Sequence, residues 1–195
     1  LPAIEVIKAD PDFATVGTDI LNNYGTPSIF NEIHWALERD YRPEECFYPV
    51  GDKWVDMHLR SELRPKDRET VENRRAAITA AYRKIPECRV IIITLGLSEV
   101  WFDKETGTYL NAPPRRGMLR STPERFALHI LSHAEAHGFL HKAMQLIKAH
   151  GRDDVRVVMT VSPVPLTATY RDMDVMEANC YSKSVLRAVA EQIRS

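Results

Sequence analysis

Two short stretches bring together side chains of the kinds that carry chemistry. Thr94-Leu95-Gly96-Leu97-Ser98-Glu99-Val100-Trp101 places a hydroxyl, a carboxylate and an indole just after a glycine, and Thr160-Val161-Ser162-Pro163-Val164-Pro165 places a second hydroxyl before two prolines. A serine hydroxyl can attack a carbonyl when a base lies within hydrogen-bond reach, or it can donate to the oxyanion that such an attack creates. Gly96 would let the backbone turn sharply and approach a ligand closely. The plainer reading makes Gly96 a turn glycine, Ser162 a cap or turn residue and Trp101 a cover for the core. A third pattern is His129, His133, His137 and His141, spaced four apart. Imidazoles at that spacing on a helix can share an ion, with His133 and His137 the candidate pair, but each step of four rotates by about 40°, so four cannot converge on one metal. Gly138 also interrupts the series, and the expectation is a solvated histidine stripe with no metal and no cofactor.

The elements that must position these residues follow from the hydrophobic patterning. Residues 89–95 and 155–161 are apolar, rich in β-branched types and without clean alternation, as expected of strands buried on both faces of a parallel sheet. A helix is expected over residues 68–85, with Pro86 closing it. A second is expected over 123–150, opened by the capping pattern Ser121-Thr122-Pro123-Glu124 and ended by Gly151. Helix, strand, helix, strand predicts an α/β fold with right-handed crossovers. Further helices are expected over 27–38 and 173–194. Residues 39–65 are expected to be irregular, and 103–121 to form a long loop at the carboxyl end of the first strand, where such folds place their chemistry.

The chain's 195 residues suit one α/β domain spanning 1–195. Its 26 Lys plus Arg and 27 Asp plus Glu leave a net charge of -1, which argues against nucleic-acid and polybasic membrane partners. No apolar run is long enough for a membrane span. Cys46, Cys88 and Cys180 are odd in number and far apart, a pattern that fits reduced thiols and a cytoplasmic protein. The chain opens at Leu1 and stops at Ser195 inside a helical pattern, so it is expected to be part of a longer one.

Taken together, TLGLSEVW, TVSPVPLTAT some sixty residues later, and Asn179-Cys180-Tyr181-Ser182-Lys183-Ser184-Val185-Leu186-Arg187 resemble the GSCFA family, a branch of the SGNH/GDSL-type hydrolases. Upstream, Asn22-Asn23-Tyr24-Gly25-Thr26-Pro27-Ser28-Ile29 is similar to that family's approach to its first inner helix. The resemblance implies a three-layer α/β fold of flavodoxin-like type and acyl transfer to water or another hydroxyl. In that superfamily a serine attacks an ester, a late Asp-x-x-His pair activates it, and a glycine and an asparagine help form the oxyanion hole. Gly96-Leu97-Ser98-Glu99 stands where the superfamily has Gly-x-Asn-Asp, and Gly25 where it has its second-motif glycine. Gly25 and Ser98 are therefore the oxyanion candidates, with Gly96, Glu99, Trp101, Ser162 and Asn179 beside them at the cleft. The Gly-Ser-Cys-Phe-Ala motif that names the family is absent from residues 1 to 195, as is a terminal Asp-x-x-His, so no nucleophile or base is assigned. Two functions are carried forward: the core of an esterase or acyltransferase acting on acyl esters of a carbohydrate or another small molecule, and a non-catalytic ligand- or carbohydrate-binding module that keeps the fold without the triad.

Overall fold

A computed structural model describes residues 21–60 and 62–194. Helix α1 (Thr26–Leu37) leads through a short helix α2 (Pro43–Cys46) to strands β1 (Phe47–Val50) and β2 (Lys53–Asp56), and then to α3 (Arg68–Tyr82). Strand β3 (Val90–Leu95) is followed by β4 (Glu99–Asp103), β5 (Thr108–Leu110), α4 (Arg116–Ser121) and β6 (Phe126–Ile130). Helix α5 (His133–His150), strand β7 (Arg156–Val161) and α6 (Val175–Arg194) complete the order.

Strands β3 and β7 pair in parallel, from Val90 opposite Arg156 to Leu95 opposite Val161, so their carboxyl ends share one sheet edge as the two apolar runs predict. The mixed α/β class with a parallel sheet is thus present. The helices pack on one face of this pair. Ile93 and Leu95 join Ile29 and Ile33 of α1, Leu140, Ala143 and Ile147 of α5, and Leu186 and Val189 of α6 in the main core. Among the described residues the opposite face is bare: Val90, Ile92 and Val158 are 54%, 67% and 47% exposed. The expectation of burial on both faces is therefore corrected among the described residues. The reason is local to this sheet, whose alternate residues Ile91, Ile93 and Leu95 turn to the helices and whose intervening ones turn away.

The helix expected over 123–150 divides. Its first part is β6, which pairs antiparallel with β4 from Phe126 opposite Asp103 to Ile130 opposite Glu99. The true N-cap is Ser132, whose hydroxyl accepts from the Glu135 N–H while the Glu135 carboxylate accepts from the Ser132 N–H. His129 consequently lies on a strand and outside the helical stripe. The expected loop over 103–121 contains β5, antiparallel to β4, and α4; the expected irregular stretch contains α2 and the β1–β2 hairpin, turned at Gly51 with φ +63°. Helix α3 stops at Tyr82, with Ile85–Glu87 as a separate 3₁₀ turn before β3.

A buried ionic cluster ties the hairpin to the helices. Arg75 of α3, fully buried, reaches the Glu32 carboxylate of α1 at 2.8 and 2.9 Å and Asp56 of β2 at 2.8 Å. Burial pushes the Glu32 carboxyl up against the pull of Arg75. His58 sits beside this group with its ring edge-on to Trp35, the centroids 4.7 Å apart. On the far side of the hairpin, Asp103 accepts from the Tyr48 hydroxyl at 2.7 Å, from Arg125 Nε and Nη2 at 2.9 and 2.7 Å and from the Glu105 N–H at 3.0 Å.

Candidate functional site

The carboxyl edge of β3 turns at Gly96 directly against the segment that enters α1. The Leu97 N–H donates to the Tyr24 carbonyl at 2.9 Å, and a Cβ added at Gly96 would lie 2.6 Å from that carbonyl oxygen. Only glycine permits this approach without displacing backbone. Gly25 is enclosed as closely, for a Cβ there would meet Val100 Cγ1 at 2.7 Å. The Tyr24 N–H donates to Asn111 Oδ1 at 2.8 Å, and Asn111 Nδ2 donates to the Asn22 carbonyl at 2.8 Å, so the β5 exit fixes the entering segment as well. The structure thus brings the Tyr24-Gly25 turn and the Gly96-Leu97-Ser98 turn together.

Helix α6 holds the same turn from behind. Ser182 Oγ accepts from the Ser98 N–H at 2.8 Å and Lys183 Nζ donates to the Gly96 carbonyl at 2.7 Å. Burial lowers the Lys183 ammonium pKa. Asn179, one turn earlier, accepts the Leu166 N–H at 3.0 Å and so anchors the β7 exit loop. Asn179, Ser182 and Lys183 stand at i, i+3 and i+4, one face of the helix. Their spacing is visible in the sequence, and it is the signal that could have assigned Ser182 and Lys183 their partners.

The other candidates are placed as follows. Ser98 is buried, and its hydroxyl has no hydrogen-bond partner among the described residues. Glu99 opens β4; its carboxylate accepts from the Thr169 hydroxyl at 2.5 Å and the Tyr170 N–H at 3.4 Å. Trp101 is half-buried in β4 with its ring edge-on to Tyr170, centroids 5.2 Å apart. Ser162 continues the ladder through its N–H to the Leu95 carbonyl at 2.8 Å, and its hydroxyl accepts from the Val164 N–H at 3.2 Å. Glu99, Trp101 and Asn179 therefore all engage the loop over residues 163–174 and lay it along this edge. Beneath the Gly25 turn, the hydroxyls of Thr26 and Ser28 are buried and, like Asn23 Oδ1, have no partner among the described residues. The chemistry of this edge is that of a tight backbone turn carrying buried, unsatisfied hydroxyls, with its carboxylate and amine already committed.

The histidines do not join it. His133, His137 and His141 stack along α5 with ring centroids 6.2 and 5.8 Å apart, whereas His129 Nε2 lies 2.7 Å from Glu135 Oε1. Among the described residues no three His, Cys, Asp or Glu side chains gather as a metal-ligand set. A groove of about 1350 Å³ runs between α5, β7 and α6, lined by His137, His141, Met144, Val157 and Ile193, and none of the oxyanion or cleft candidates borders it. Cys46, Cys88 and Cys180 are free thiols, and burial holds the Cys46 thiol pKa well above its ordinary value. No helix among the described residues is long and apolar enough to cross a membrane.

The geometry defines an α/β protein whose motif residues meet at the carboxyl edge of a parallel strand pair. A family model described as the GSCFA family matches residues 8–195, and the chain belongs to the GSCFA family. No curated protein and no solved structure matches this chain.

Proposed function

We propose that this chain is the core of an SGNH/GDSL-like esterase or acyltransferase acting on acyl esters of a carbohydrate or another small molecule, built on a three-layer, flavodoxin-like fold. The observation that carries this reading is the convergence of the Gly25 and Gly96–Ser98 turns, joined by the 2.9 Å bond from Leu97 to Tyr24. A preorganised turn of this kind can direct backbone N–H groups at a developing oxyanion without reorganising during the reaction. In this reading Gly25 supplies the backbone donor, and Ser98 lends its hydroxyl once a ligand offers the acceptor it lacks. The nucleophile and its base are assigned to no residue of 1–195. The three free thiols agree with work in a reducing, cytoplasmic setting.

The test compares two polypeptides, the present chain and the product of its whole open reading frame. The latter should release phenol from a short-chain aryl ester steadily, and a serine-directed phosphonate should abolish that release and add its mass to one serine. The present chain should do no better than a heat-denatured control, since losing nucleophile and base together removes about 10⁶-fold of rate. A product of that frame that binds small acylated ligands but hydrolyses none would replace this reading with a non-catalytic binding module.

A further inference from the structure

The loop over 163–174 carries an arginine whose guanidinium finds no hydrogen-bond acceptor among the described residues. Arg171 is half-buried, and its guanidinium makes no hydrogen bond or ion pair among the described residues. Its Nη1 is shielded from water with no acceptor. Arginine is seldom left so, because an unsatisfied buried donor of a charged group costs more than a neutral one. The surroundings hold it in place. Its backbone N–H donates to Thr169 Oγ1 at 3.1 Å, and Thr169 in turn is bound to Glu99. The guanidinium lies over the Tyr181 ring, 5.2 Å from the centroid, in a cation–π contact that leaves its edge N–H groups unused. Tyr181 reaches back to the Leu131 carbonyl at 3.4 Å, and the Leu131 N–H donates to the Ser98 carbonyl at 2.9 Å. Arg171 is therefore framed by partners of Glu99 on one side and of Ser98 on the other. The nearby carboxylates do not serve it: Glu99 accepts from Thr169 and Tyr170, Asp174 caps α6 by accepting from the Met176 N–H at 2.8 Å, and Asp172 makes no ion pair with it.

We propose that Arg171 is an anion-recognition residue at this edge, and that the ester handled here carries a carboxylate or phosphate group that docks on its guanidinium. The planar fork of arginine matches either oxyanion in a two-point contact, and stacking on Tyr181 fixes the plane of the fork before the ligand arrives. The word ester rests on the reading given above; the anion site stands on the geometry of Arg171 alone.

Two measurements separate them. In the first, the ¹⁵N-labelled chain is titrated with inorganic phosphate and with acetate at ionic strength held constant with sodium chloride. Saturable shifts are expected at the Arg171 Nε–H and the Trp101 indole N–H of the native chain, and the Trp101 shift should be lost in Arg171→Gln and its affinity weakened about tenfold in Arg171→Lys. Saturation by phosphate alone identifies a phosphate-bearing ligand, and saturation by both identifies the shared oxyanion chemistry. Should Arg171→Gln fail to fold, Arg171→Lys carries the comparison. Shifts that never saturate, or that persist unchanged in the variants, overturn the proposal. In the second, the product of the whole open reading frame is given phenyl hemisuccinate and phenyl butyrate. The ratio of their kcat/KM values should fall about ten- to a hundredfold in Arg171→Gln, through KM, as expected for one charge-assisted contact. Hydrolysis of neither ester with saturable anion binding intact refutes the esterase reading and leaves Arg171 in its role. Hydrolysis with an unchanged ratio and no saturable binding removes Arg171 from the site and leaves the esterase reading standing.

Discussion

Acidification should destabilise this protein through one histidine in particular. The Nε2 of His58 lies 3.0 Å from the Glu45 carbonyl, so the neutral ring carries its proton there and donates it. Its Nδ1 is buried with no partner among the described residues, and a second proton would create a donor with no acceptor among them, on a ring packed against Trp35 and beside the Arg75 guanidinium. Burial is the largest influence and lowers the His58 pKa to about 4, Arg75 pushing the same way while Asp56 and Glu45 oppose it. The sign follows from linkage. Between an unfolded value near 6.5 and the folded value, the unfolded chain holds the proton and the native one does not, so stability is full above pH 6.5 and is lost as pH falls toward 4. The span of about 2.5 pH units corresponds to roughly 3 kcal/mol. Urea denaturation of the native chain and of His58→Phe, repeated from pH 7.5 to 4, isolates this part from the other six histidines. The native chain should lose about 3 kcal/mol more than the variant across that interval, and the His58 Cε1 proton should stay at its neutral shift down to about pH 5. Parallel stability curves, or a His58 ring titrating near 6.5, would refute the argument.

Asp103→Asn should cost about 2 to 4 kcal/mol at pH 7, because burial opposes the Asp103 charge while Arg125 and Tyr48 hold the carboxyl below its ordinary pKa. That stability is present above pH 3.8 and is lost as pH falls through the depressed folded value, so urea curves of the two proteins should converge in strong acid. Gly96→Ala should lower stability by about 1 to 3 kcal/mol, since its methyl would meet the Tyr24 carbonyl at 2.6 Å, and amide exchange at Leu97 should quicken as the bond to Tyr24 is strained. Arg75→Met should cost about 3 to 5 kcal/mol at neutral pH by leaving Glu32 and Asp56 buried without their cation, and thermal melts should show the loss shrinking as acid protonates Glu32, whose pKa burial already raises.

The parallel pair was legible because β-branched runs bounded by a proline-closed helix and a glycine admit few alternatives, and β3 and β7 fall within a residue of the expected bounds. Strand β6 was not. Phe126–Ile130 runs into a strong helical pattern, and what makes it a strand is its ladder to β4, a partner more than twenty residues away that local periodicity does not register. The bare face of β3 and β7 escaped for a related reason: an unbroken apolar run reads as buried on both sides whatever actually covers it. At the site, the turn glycines were legible from their motifs, but the tight enclosure of both is a tertiary fact. Arg75 was hidden in plain view, since a charge on an amphipathic helix reads as solvated until Glu32 and Asp56 are found opposite it.

The disposition of α6 gives the site its physical logic. A turn at the end of a two-stranded parallel sheet has little to hold it, because its own strand supplies backbone bonds only as far as Leu95. Three α6 side chains on one face supply the rest: Asn179 takes the β7 exit, Ser182 the Ser98 N–H and Lys183 the Gly96 carbonyl. Helix α6 is itself fixed by Leu186 and Val189 in the same core that receives Ile93 and Leu95, so sheet and clamp are positioned by one set of packing contacts. Ser182 and Lys183 are thereby spent on geometry. Among the described residues that geometry leaves free the hydroxyls of Ser98, Thr26 and Ser28 and, across the loop that Glu99 ties down, the Arg171 guanidinium. A scaffold that satisfies most polar groups along an edge while leaving buried donors unsatisfied there among the described residues is the pattern expected where a ligand completes the hydrogen bonding.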